Sequence, residues 1–527
     1  MDKVLVSDLL SQQGLDVLIN SGDFKVDVAL ELTPAALLER IADYDALLIR
    51  SDTRVTAEVI KAAKRLKVIG RAGVGVDNID VAAATRHGIL VVNTPEGNTI
   101  AAAEHTIALL LALARNIVPA GISLKEGTWQ RSDFIGVELY GKVLGTVGLG
   151  RIGREVTKRV NAFGMQSIAF DPYITADAAE KMGVRLVDRE TLFRESDYIS
   201  VHTHLNAETY HSIGDTEFQL MKPTSRLINC ARGGIIDEEA LYHALKDGKI
   251  AGAALDVFED EPATENPLLE LDNFLALPHL GASTTEAQEH VAIEVAQQVI
   301  NALRDKPVAN AVNQPKIDPR MYDILGPYLQ LAEKIGSFHA QIVEGQIAAI
   351  KIHYSGALFQ KEDVTPVTVA LQKGLLAPVL TEVNYVNAPF LIKQRGIAVT
   401  ETKSDSEADF ANLMTVTVTT DRDDTVLAGT TFGRKDIRIV RINQLHLNAT
   451  PEGYILLIYN RDQPGMIGLI GTILGEHNIN IADMTVGRSR PDEVALTLIN
   501  VDSPVPRPVI KTLASQKKIA FVKQVVL

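Results

Sequence analysis

Cysteine is almost absent from the sequence, which has one, Cys230, in 527 residues. A single thiol cannot form an internal disulfide or supply a cysteine-cluster metal site, so neither is expected. Cys230 ends the apolar run RLINC, which indicates a buried strand residue rather than a nucleophile. We predict no metal site in this chain.

The chain also lacks an excess of positive charge and any long hydrophobic run. Its formal net charge is −14, spread without long acidic blocks, which argues against binding to a nucleic-acid backbone. No run of about eighteen apolar residues predicts a membrane span. The first residues, MDKVLVSDLL, read as a strand and carry no signal-peptide pattern. These features favour small-molecule chemistry in the cytoplasm.

What the sequence has in quantity is short apolar runs alternating with helical patterns. Its length suggests three or four domains at roughly 150 residues each. The alternation over 3–92, and again from 141, indicates parallel strands joined by crossover helices. A helix predicted from Thr284 to about Leu303 has no strand after it. We therefore expect it to cross back and close the first unit, which would be discontinuous.

The stretch 141–173 has the pattern of half a dinucleotide site. A strand is followed by Gly148, Gly150 and Gly153, then by a helix and a second strand that ends at Asp171. The glycines suit a tight turn, a close approach to a pyrophosphate, and close packing of a helix whose free amides face the phosphates. Asp171 would accept hydrogen bonds from the adenosine ribose and repel a 2′-phosphate, which predicts NAD rather than NADP.

Three later strand ends carry an arginine, a glutamate and a histidine. They are Arg232 in NCARGGIID, Glu261 in LDVFEDEP and His279 in LPHLGAST. The carboxyl ends of strands in a doubly wound sheet face the ligand crevice, so these side chains would converge. Removing a hydride from an alcohol carbon also requires a base for the hydroxyl proton. We therefore predict His279 as the base, Glu261 as its orienting partner, and Arg232 as the partner of a substrate carboxylate.

The second half of the chain predicts two further domains. The segment DKPVANAVNQPKIDP, which begins at Asp305, reads as a linker. Helices and period-two strands over 321–450 indicate a mixed α+β domain. The order βαββαβ over 453–527 is that of the ferredoxin-like split βαβ fold.

These motifs resemble the D-2-hydroxyacid dehydrogenase family. GLGRIG, NCARGGIIDE, LDVFEDEP and PHLGAS match it, as does GRAGVGVDNID at 70–80. The added domains resemble the long forms of the family that act on 3-phosphoglycerate, in which an intervening domain and an ACT domain follow the dehydrogenase core. The resemblance implies NAD-dependent oxidation of 3-phospho-D-glycerate to 3-phosphohydroxypyruvate, the first step of the phosphorylated route of L-serine biosynthesis.

The predicted fold class is therefore α/β, with two doubly wound parallel-sheet lobes, flavodoxin-like and Rossmann, followed by an α+β intervening domain and a ferredoxin-like ACT domain. The expected domains are a substrate-binding domain at 1–95 plus 285–312, an NAD-binding Rossmann domain at 96–284, an intervening domain at 313–450 and an ACT regulatory domain at 451–527.

The resemblance also implies roles for individual residues. Catalysis is carried over to Arg232, Glu261 and His279. Contacts to NAD, in addition to the three glycines, fall on Arg151, Ile152, Asp171, Thr203, Cys230, Ala231, Arg232, Asp256, His279, Leu280, Gly281 and Ala282. Substrate contacts fall on the backbone amides of Val74 and Gly75, and on Arg50, Arg71 and Arg131 as phosphate candidates, the last resembling a residue supplied across a dimer interface. One departure is His204, where the family usually has proline, which leaves the backbone beside Thr203 less restricted.

The ACT-like segment implies regulation by L-serine, with Tyr459, Asp462 and Asn480 as candidate ligand residues; subunit association is its alternative role. We expect a homodimer or homotetramer, because the helix at 99–117 is apolar almost all round. Two other functions stay open. One is a hydroxypyruvate or glyoxylate reductase, which shares the three catalytic residues. The other is a non-catalytic NAD sensor resembling the corepressors built on this fold.

Overall fold

The fold is described from a computed structural model that covers residues 1–316, 319–405, 409–433, 435–488 and 493–527. Four sheets organise these residues. They have five, seven, six and four strands, in the order in which the chain enters them.

The first lobe is built on a parallel sheet with the strand order β2-β1-β3-β4-β5, the flavodoxin-like order. Its elements are β1 (Asp2–Val6), α1 (Gln12–Asn20), β2 (Phe24–Val28), α2 (Pro34–Arg40), β3 (Ala46–Ile49), α3 (Ala57–Ala62), β4 (Val68–Arg71), α4 (Val81–Arg86) and β5 (Leu90–Val92). All four residues of β3 are buried, as expected for a parallel strand covered on both faces.

The second lobe is a parallel sheet with the order β12-β11-β10-β9-β6-β7-β8. Its elements are α5 (Thr99–Arg115), α6 (Ile117–Lys125), β6 (Val143–Val147), α7 (Arg151–Ala162), β7 (Gln166–Phe170), α8 (Ala176–Glu180), β8 (Val184–Leu186), α9 (Arg189–Glu195), β9 (Tyr198–Val201), α10 (Asp215–Leu220), β10 (Arg226–Asn229), α11 (Glu238–Lys246), β11 (Gly252–Leu255) and β12 (Phe274–Ala276). The chain reverses its direction across the sheet between β6 and β9. This is the switch point at which doubly wound folds bind ligands.

The chain then returns to the first lobe through α12 (Thr285–Leu303). Val295 and Val299 of α12 pack directly on Gly70 of β4, and Ala292 packs on Gly14 of α1. The buried face of α12 belongs to the same hydrophobic cluster as β1, β3 and β4. The returning helix thus supplies part of the first lobe's core.

The segment after α12 extends the first sheet. Ala311 forms an antiparallel bridge with Val92, and the side chain of Asn313 accepts a hydrogen bond from the Val91 amide at 2.8 Å. The Asn313 amide group also donates to the Ile89 carbonyl at 2.9 Å. The predicted linker is therefore fixed to the edge of the first lobe.

The last two domains share a core. The third comprises α13 (Pro319–Ile342), β13 (Ile347–Gly356), α14 (Ala357–Lys361), α15 (Thr365–Leu376), α16 (Ala388–Gln394), β14 (Ala398–Ser404), β15 (Asn412–Thr420), β16 (Asp424–Phe432), β17 (Asp436–Ile442) and β18 (Leu445–Ala449). The fourth comprises β19 (Tyr454–Arg461), α17 (Met466–Glu476), β20 (Ile481–Arg488), β21 (Val494–Val501), α18 (Arg507–Ala514) and β22 (Ile519–Val526). Ile455 and Leu457 of β19 pack into the third domain, whereas Leu456 and Ile458 face α17 and α18.

The predicted fold class is confirmed in both lobes and in the two added domains. The apolar runs from residue 141 predict six strands in the nucleotide sheet, which has seven, because the pattern does not indicate the three-residue strand β8. The expectation of excess apolar surface on 99–117 is corrected in part. Much of α5 is buried, and exposed apolar side chains lie on α6, where Ile117 and Ile122 are half-exposed.

No single helix among the described residues is long and apolar enough to span a membrane. The pair α5 and α6 meets the length and composition test together, but the two helices are bent by 66°.

Candidate active site

The glycine turn after β6 has the shape that a dinucleotide phosphate requires. Gly148 has φ of 90°, and a side chain there would come within 2.7 Å of the His202 carbonyl oxygen. A Cβ on Gly153 would overlap the Gly148 carbonyl oxygen, so α7 can approach the turn only because this residue is glycine. At Gly150 no atom lies within 4 Å of an added Cβ, so the surface over the helix start is open.

The N-terminus of α7 is also left without a side-chain cap. Gly150 occupies the N-cap position and offers no oxygen to the first amides. Neighbouring helices α9 and α11 are capped by the side chains of Asp188 and Asp237. The free amides of α7 are therefore available to an anion at this end.

Asp171 lies beside the same turn, one residue after β7. Its carboxylate accepts hydrogen bonds from the Leu149 amide at 2.8 Å and the Tyr173 amide at 2.9 Å. These contacts fix the carboxylate next to the glycine turn and leave lone pairs for ribose hydroxyls. The position and the charge both fit a dinucleotide without a 2′-phosphate.

The remaining predicted nucleotide residues surround this turn. The methyl group of Thr203 packs on Gly148, and its hydroxyl is buried without a hydrogen-bond partner, as expected for an atom that a ligand would satisfy. Arg151 at the helix start lies 3.4 Å from Glu96, and Ile152 packs in the core under α5. Burial raises the pKa of the Cys230 thiol to about 12, which excludes a thiolate nucleophile near neutral pH.

A buried carboxylate organises the turn that contains the predicted base. Asp256 accepts hydrogen bonds from the Leu280 amide at 2.8 Å and the Gly281 amide at 2.7 Å. His105, on α5, lies 3.1 Å from the same carboxylate, although its ring is not aligned as a hydrogen bond. These contacts hold His279, whose φ of 54° is unusual for a residue with a side chain. The sequence analysis missed His105, and only its place on a helix packed beside the turn could have indicated it.

His279 and Glu261 form a direct pair. His279 Nδ1 lies 2.9 Å from Glu261 Oε2, and the other carboxylate oxygen accepts the Phe258 amide at 3.1 Å. Burial alone would raise the pKa of Glu261, but the hydrogen bond and charge of His279 outweigh it and lower that pKa. The charge of Arg232 acts in the same direction, which places all three residues in one electrostatic neighbourhood.

Cationic side chains converge on the first-lobe side of the cleft. Arg71 ends β4, and Arg50 follows β3. Burial, together with the nearby charges of Arg232 and Arg50, lowers the pKa of Arg71 to about 10. The Val74 carbonyl accepts a hydrogen bond from the Asn93 side chain at 2.6 Å, which fixes the glycine loop that follows Arg71.

Arg232 reaches this cluster from the other lobe. It follows β10, and its Nε donates to Asp77 of the first lobe at 2.9 Å. The structure thus brings Arg232 together with the Val74–Gly75 loop. Asp77 was not selected from the sequence, although it lies within the GRAGVGVDNID motif.

Other predicted residues lie elsewhere. Arg131 is on an exposed loop, and no ion pair joins it to any described residue. Asp462 pairs with Arg488 at 3.0 Å, whereas Asn480 donates to Asp502 at 2.7 Å. The strand register places these two pairs at opposite ends of the fourth sheet, roughly 23 Å apart at 3.3 Å per residue. Tyr459 faces the third domain. The three effector candidates therefore do not form one site within a single chain.

The arrangement suits hydride transfer from a charged alcohol. A nucleotide cradle, a histidine base with a carboxylate partner, and a cluster of guanidinium groups meet at the cleft between the lobes. Exposed fractions of 27% for Arg232, 38% for Glu261 and 46% for His279 show that a solute can reach them.

Comparisons with known proteins agree with this geometry. Residues 107–281 match the family of D-isomer specific 2-hydroxyacid dehydrogenase NAD binding domains, 324–443 match the D-3-phosphoglycerate dehydrogenase intervening domain, and 454–517 match the ACT domain.

Two relatives cover nearly the whole chain. The D-3-phosphoglycerate dehydrogenase of Synechocystis sp. is 46% identical and spans 96% of this chain and 91% of its own length. That of Methanocaldococcus jannaschii is 46% identical and spans 100% of this chain and 99% of its own length. Among solved structures, D-lactate dehydrogenase from Aquifex aeolicus complexed with NAD and lactic acid has a TM-score of 0.55 at 29% identity, over 59% of this chain and 100% of that one.

Proposed function

The chain belongs to the D-3-phosphoglycerate dehydrogenase family, and from this premise we propose that it oxidises 3-phospho-D-glycerate to 3-phosphohydroxypyruvate with NAD. This is the first step of the phosphorylated route of L-serine biosynthesis. The observation that carries the proposal is the His279–Glu261 pair, whose carboxylate also interacts with the charge of Arg232.

The proposed chemistry assigns one task to each residue of the pair. Nδ1 of His279 is engaged by Glu261, so Nε2 is the nitrogen that takes the substrate hydroxyl proton during oxidation. Glu261 orients the ring and compensates the positive charge that forms on it. When bound, NAD supplies the acceptor for the hydride that leaves the substrate carbinol carbon.

Arg232 would hold the substrate carboxylate, so that the carbinol hydrogen points toward the nicotinamide. The phosphate needs a second cationic site, which Arg50 and Arg71 would supply at the ends of β3 and β4. The amides of Val74 and Gly75 would receive the carboxylate from the loop side. Arg131 would join this site from a second chain, since it is exposed and no ion pair joins it to a described residue of its own chain.

The decisive experiment is NADH formation with 3-phosphoglycerate. His279→Ala should reduce kcat by at least about 100-fold, because a positioned acid–base group contributes about 10²–10⁴ in rate. His243→Ala, an exposed histidine on α11, is the matched control and should retain parental activity. Equal turnover of phosphorylated and unphosphorylated substrates would count against phosphoglycerate as the substrate and favour a hydroxypyruvate or glyoxylate reductase.

We also propose that the protein forms a homodimer or homotetramer. Apolar side chains are exposed on α6 and the loop after it, including Ile122 at 51%, Trp129 at 80% and Ile135 at 81%. Analytical ultracentrifugation tests this directly. A monomer mass independent of concentration would contradict it.

Feedback by L-serine stays a proposal of the same kind. Because Asp462 and Asn480 lie at opposite ends of the sheet, an effector site that used both would need two chains. Initial rates measured over millimolar L-serine test it, and unchanged rates would leave the domain with an assembly role. A cytoplasmic location also remains a prediction, which cell fractionation tests.

A further inference from the structure

Arg232 is held by the opposite lobe. It belongs to the nucleotide lobe, yet its Nε donates to Asp77 Oδ2 at 2.9 Å across the cleft, between residues 155 positions apart in the sequence. Its Nη1 donates to the Ala231 carbonyl at 2.6 Å. Nη2 has no partner among the described residues, so this part of the guanidinium remains available to a ligand.

The first lobe contacts Arg232 through the backbone of Gly75 as well as through the carboxylate of Asp77. A Cβ on Gly75 would overlap Arg232 Nη2 and would lie 2.6 Å from Asp77 Oδ2. The guanidinium therefore lies against the backbone of Gly75, and a side chain at this position would displace it. Gly75 and Asp77 together form a seat that fixes both the position and the direction of the Arg232 side chain.

Asp77 also offsets a repulsion within the site. Arg71 lies near Arg232, and the two positive charges disfavour each other. The charge of Asp77 acts on Arg71 in the opposite sense. A carboxylate that attracts both guanidinium groups allows both to stay in the cleft before a phosphorylated anion arrives.

From this geometry we infer that Asp77 is a positioning residue for substrate binding: it seats Arg232 on the first lobe so that Nη2 is presented to the substrate carboxylate. The inference rests on the proposed function, because it takes Arg232 as the carboxylate-binding residue. The carboxylate site is complete only when both lobes contribute, since one provides the arginine and the other its seat.

Steady-state kinetics of Asp77→Asn and Asp77→Ala test the inference. Loss of a hydrogen bond to a charged group should raise KM for 3-phosphoglycerate on the order of tenfold in Asp77→Ala and less in Asp77→Asn, which keeps an acceptor oxygen. KM for NAD and the melting temperature should stay at parental values, and kcat should change much less than KM. Asp52→Asn, which removes an exposed carboxylate from the same lobe, is the matched control and should leave KM unchanged.

A double-mutant cycle shows whether Asp77 acts through Arg232. In an Arg232→Ala background, Asp77→Ala should have almost no further effect on KM. Additive effects would overturn the inference, as would a parental KM in both Asp77 variants. A parallel loss of NAD affinity and melting temperature would assign Asp77 a general structural role and overturn it as well.

A binding measurement separates this inference from the proposed function. Titration calorimetry of the NAD complex with oxalate measures carboxylate binding without turnover. If the parent does not oxidise 3-phosphoglycerate, the proposed function fails. Weaker oxalate binding by Asp77→Ala than by the parent would still support the positioning of Arg232 by Asp77. Equal oxalate binding by the two proteins would overturn the seat whatever the substrate is.

Discussion

His279 Nδ1 lies 2.9 Å from Glu261 Oε2, and no described residue hydrogen-bonds to His279 Nε2. The pairing assigns the two ring nitrogens different tasks, because the nitrogen engaged by the carboxylate keeps its proton and the other can exchange one with a substrate. The carboxylate is itself anchored by the Phe258 amide, so the orientation of the ring is set by the backbone after β11.

Glu261→Gln should separate orientation from charge. The amide keeps the shape of the side chain but removes the negative charge that favours a protonated ring. We expect kcat for oxidation to fall by roughly 10–100-fold, because the ring loses the charge that stabilises the proton it takes up. The measurement is the initial rate of NADH formation at saturating substrate. Glu259→Gln, two residues away and outside the pair, should keep the parental kcat. An unchanged kcat in Glu261→Gln would contradict the pairing as a determinant of the base.

Asp171→Asn should weaken the discrimination between NAD and NADP. In the parent, the fixed carboxylate next to the glycine turn repels a 2′-phosphate, and the variant removes that charge without changing the side-chain size. We expect the ratio of kcat/KM for NAD to kcat/KM for NADP to fall by about tenfold or more, which is about 1.4 kcal/mol. Steady-state rates with each cofactor measure it. Asp177→Asn, at the start of α8, removes a charge from the same lobe and should keep the parental ratio.

Asp45 is predicted to make stability depend on acidity. Its side chain is 4% exposed, accepts the Lys3 amide at 2.9 Å, and pairs with Arg65 at 3.0 Å. Burial would raise the pKa of Asp45, but these hydrogen bonds and charges lower it below the ordinary value of 3.8. Because the folded-state pKa is the lower one, this contribution is present above that ordinary value and is lost as pH falls through the folded-state pKa.

Asp45→Asn should therefore lower the free energy of unfolding near pH 7 by about 1–3 kcal/mol, and should flatten its decrease below pH 4. Chemical denaturation followed at several pH values measures both effects. Asp16→Asn removes an exposed carboxylate from α1 and should change neither. If Asp45→Asn lost stability in acid as steeply as the parent, another group would have to carry the pH dependence.

The contact between Glu261 and His279 could be predicted from the sequence because the positions of strand ends follow from the topology of parallel sheets. Glu261 and His279 each follow a strand of one sheet, so their contact needed no information from elsewhere in the chain. The contact between Arg232 and Asp77 joins two separate sheets, and its existence depends on how the lobes are placed. No periodicity or spacing in the sequence encodes that placement.

The missed strands have a different cause. β8 contains only three residues, and Arg185 at its centre is exposed, so neither length nor alternation distinguishes it from a loop. In the third domain, the period-two pattern predicts strands up to 442 and does not indicate β18, which reads LHLNA and pairs with β17. The effector candidates do not converge. Asp462 follows β19 and Asn480 precedes β20, and these two positions lie at opposite ends of the antiparallel sheet.

Helices α1 and α12 are in close contact at Gly14 and Ala292. A Cβ on Gly14 would lie 2.5 Å from the Ala292 side chain and 2.7 Å from its carbonyl carbon, and both helices pack on the first sheet. Gly14→Ala should therefore destabilise the first lobe by about 1–3 kcal/mol through overpacking, although alanine is otherwise the better helix former. Gly471→Ala is the matched control, because it lies within α17 and no atom is within 4 Å of an added Cβ. That control should be neutral or slightly stabilising. The measurement is calorimetric unfolding, which resolves the transitions of separate domains. If Gly14→Ala raised the temperature at which the first lobe unfolds, α12 could move away from α1 without cost.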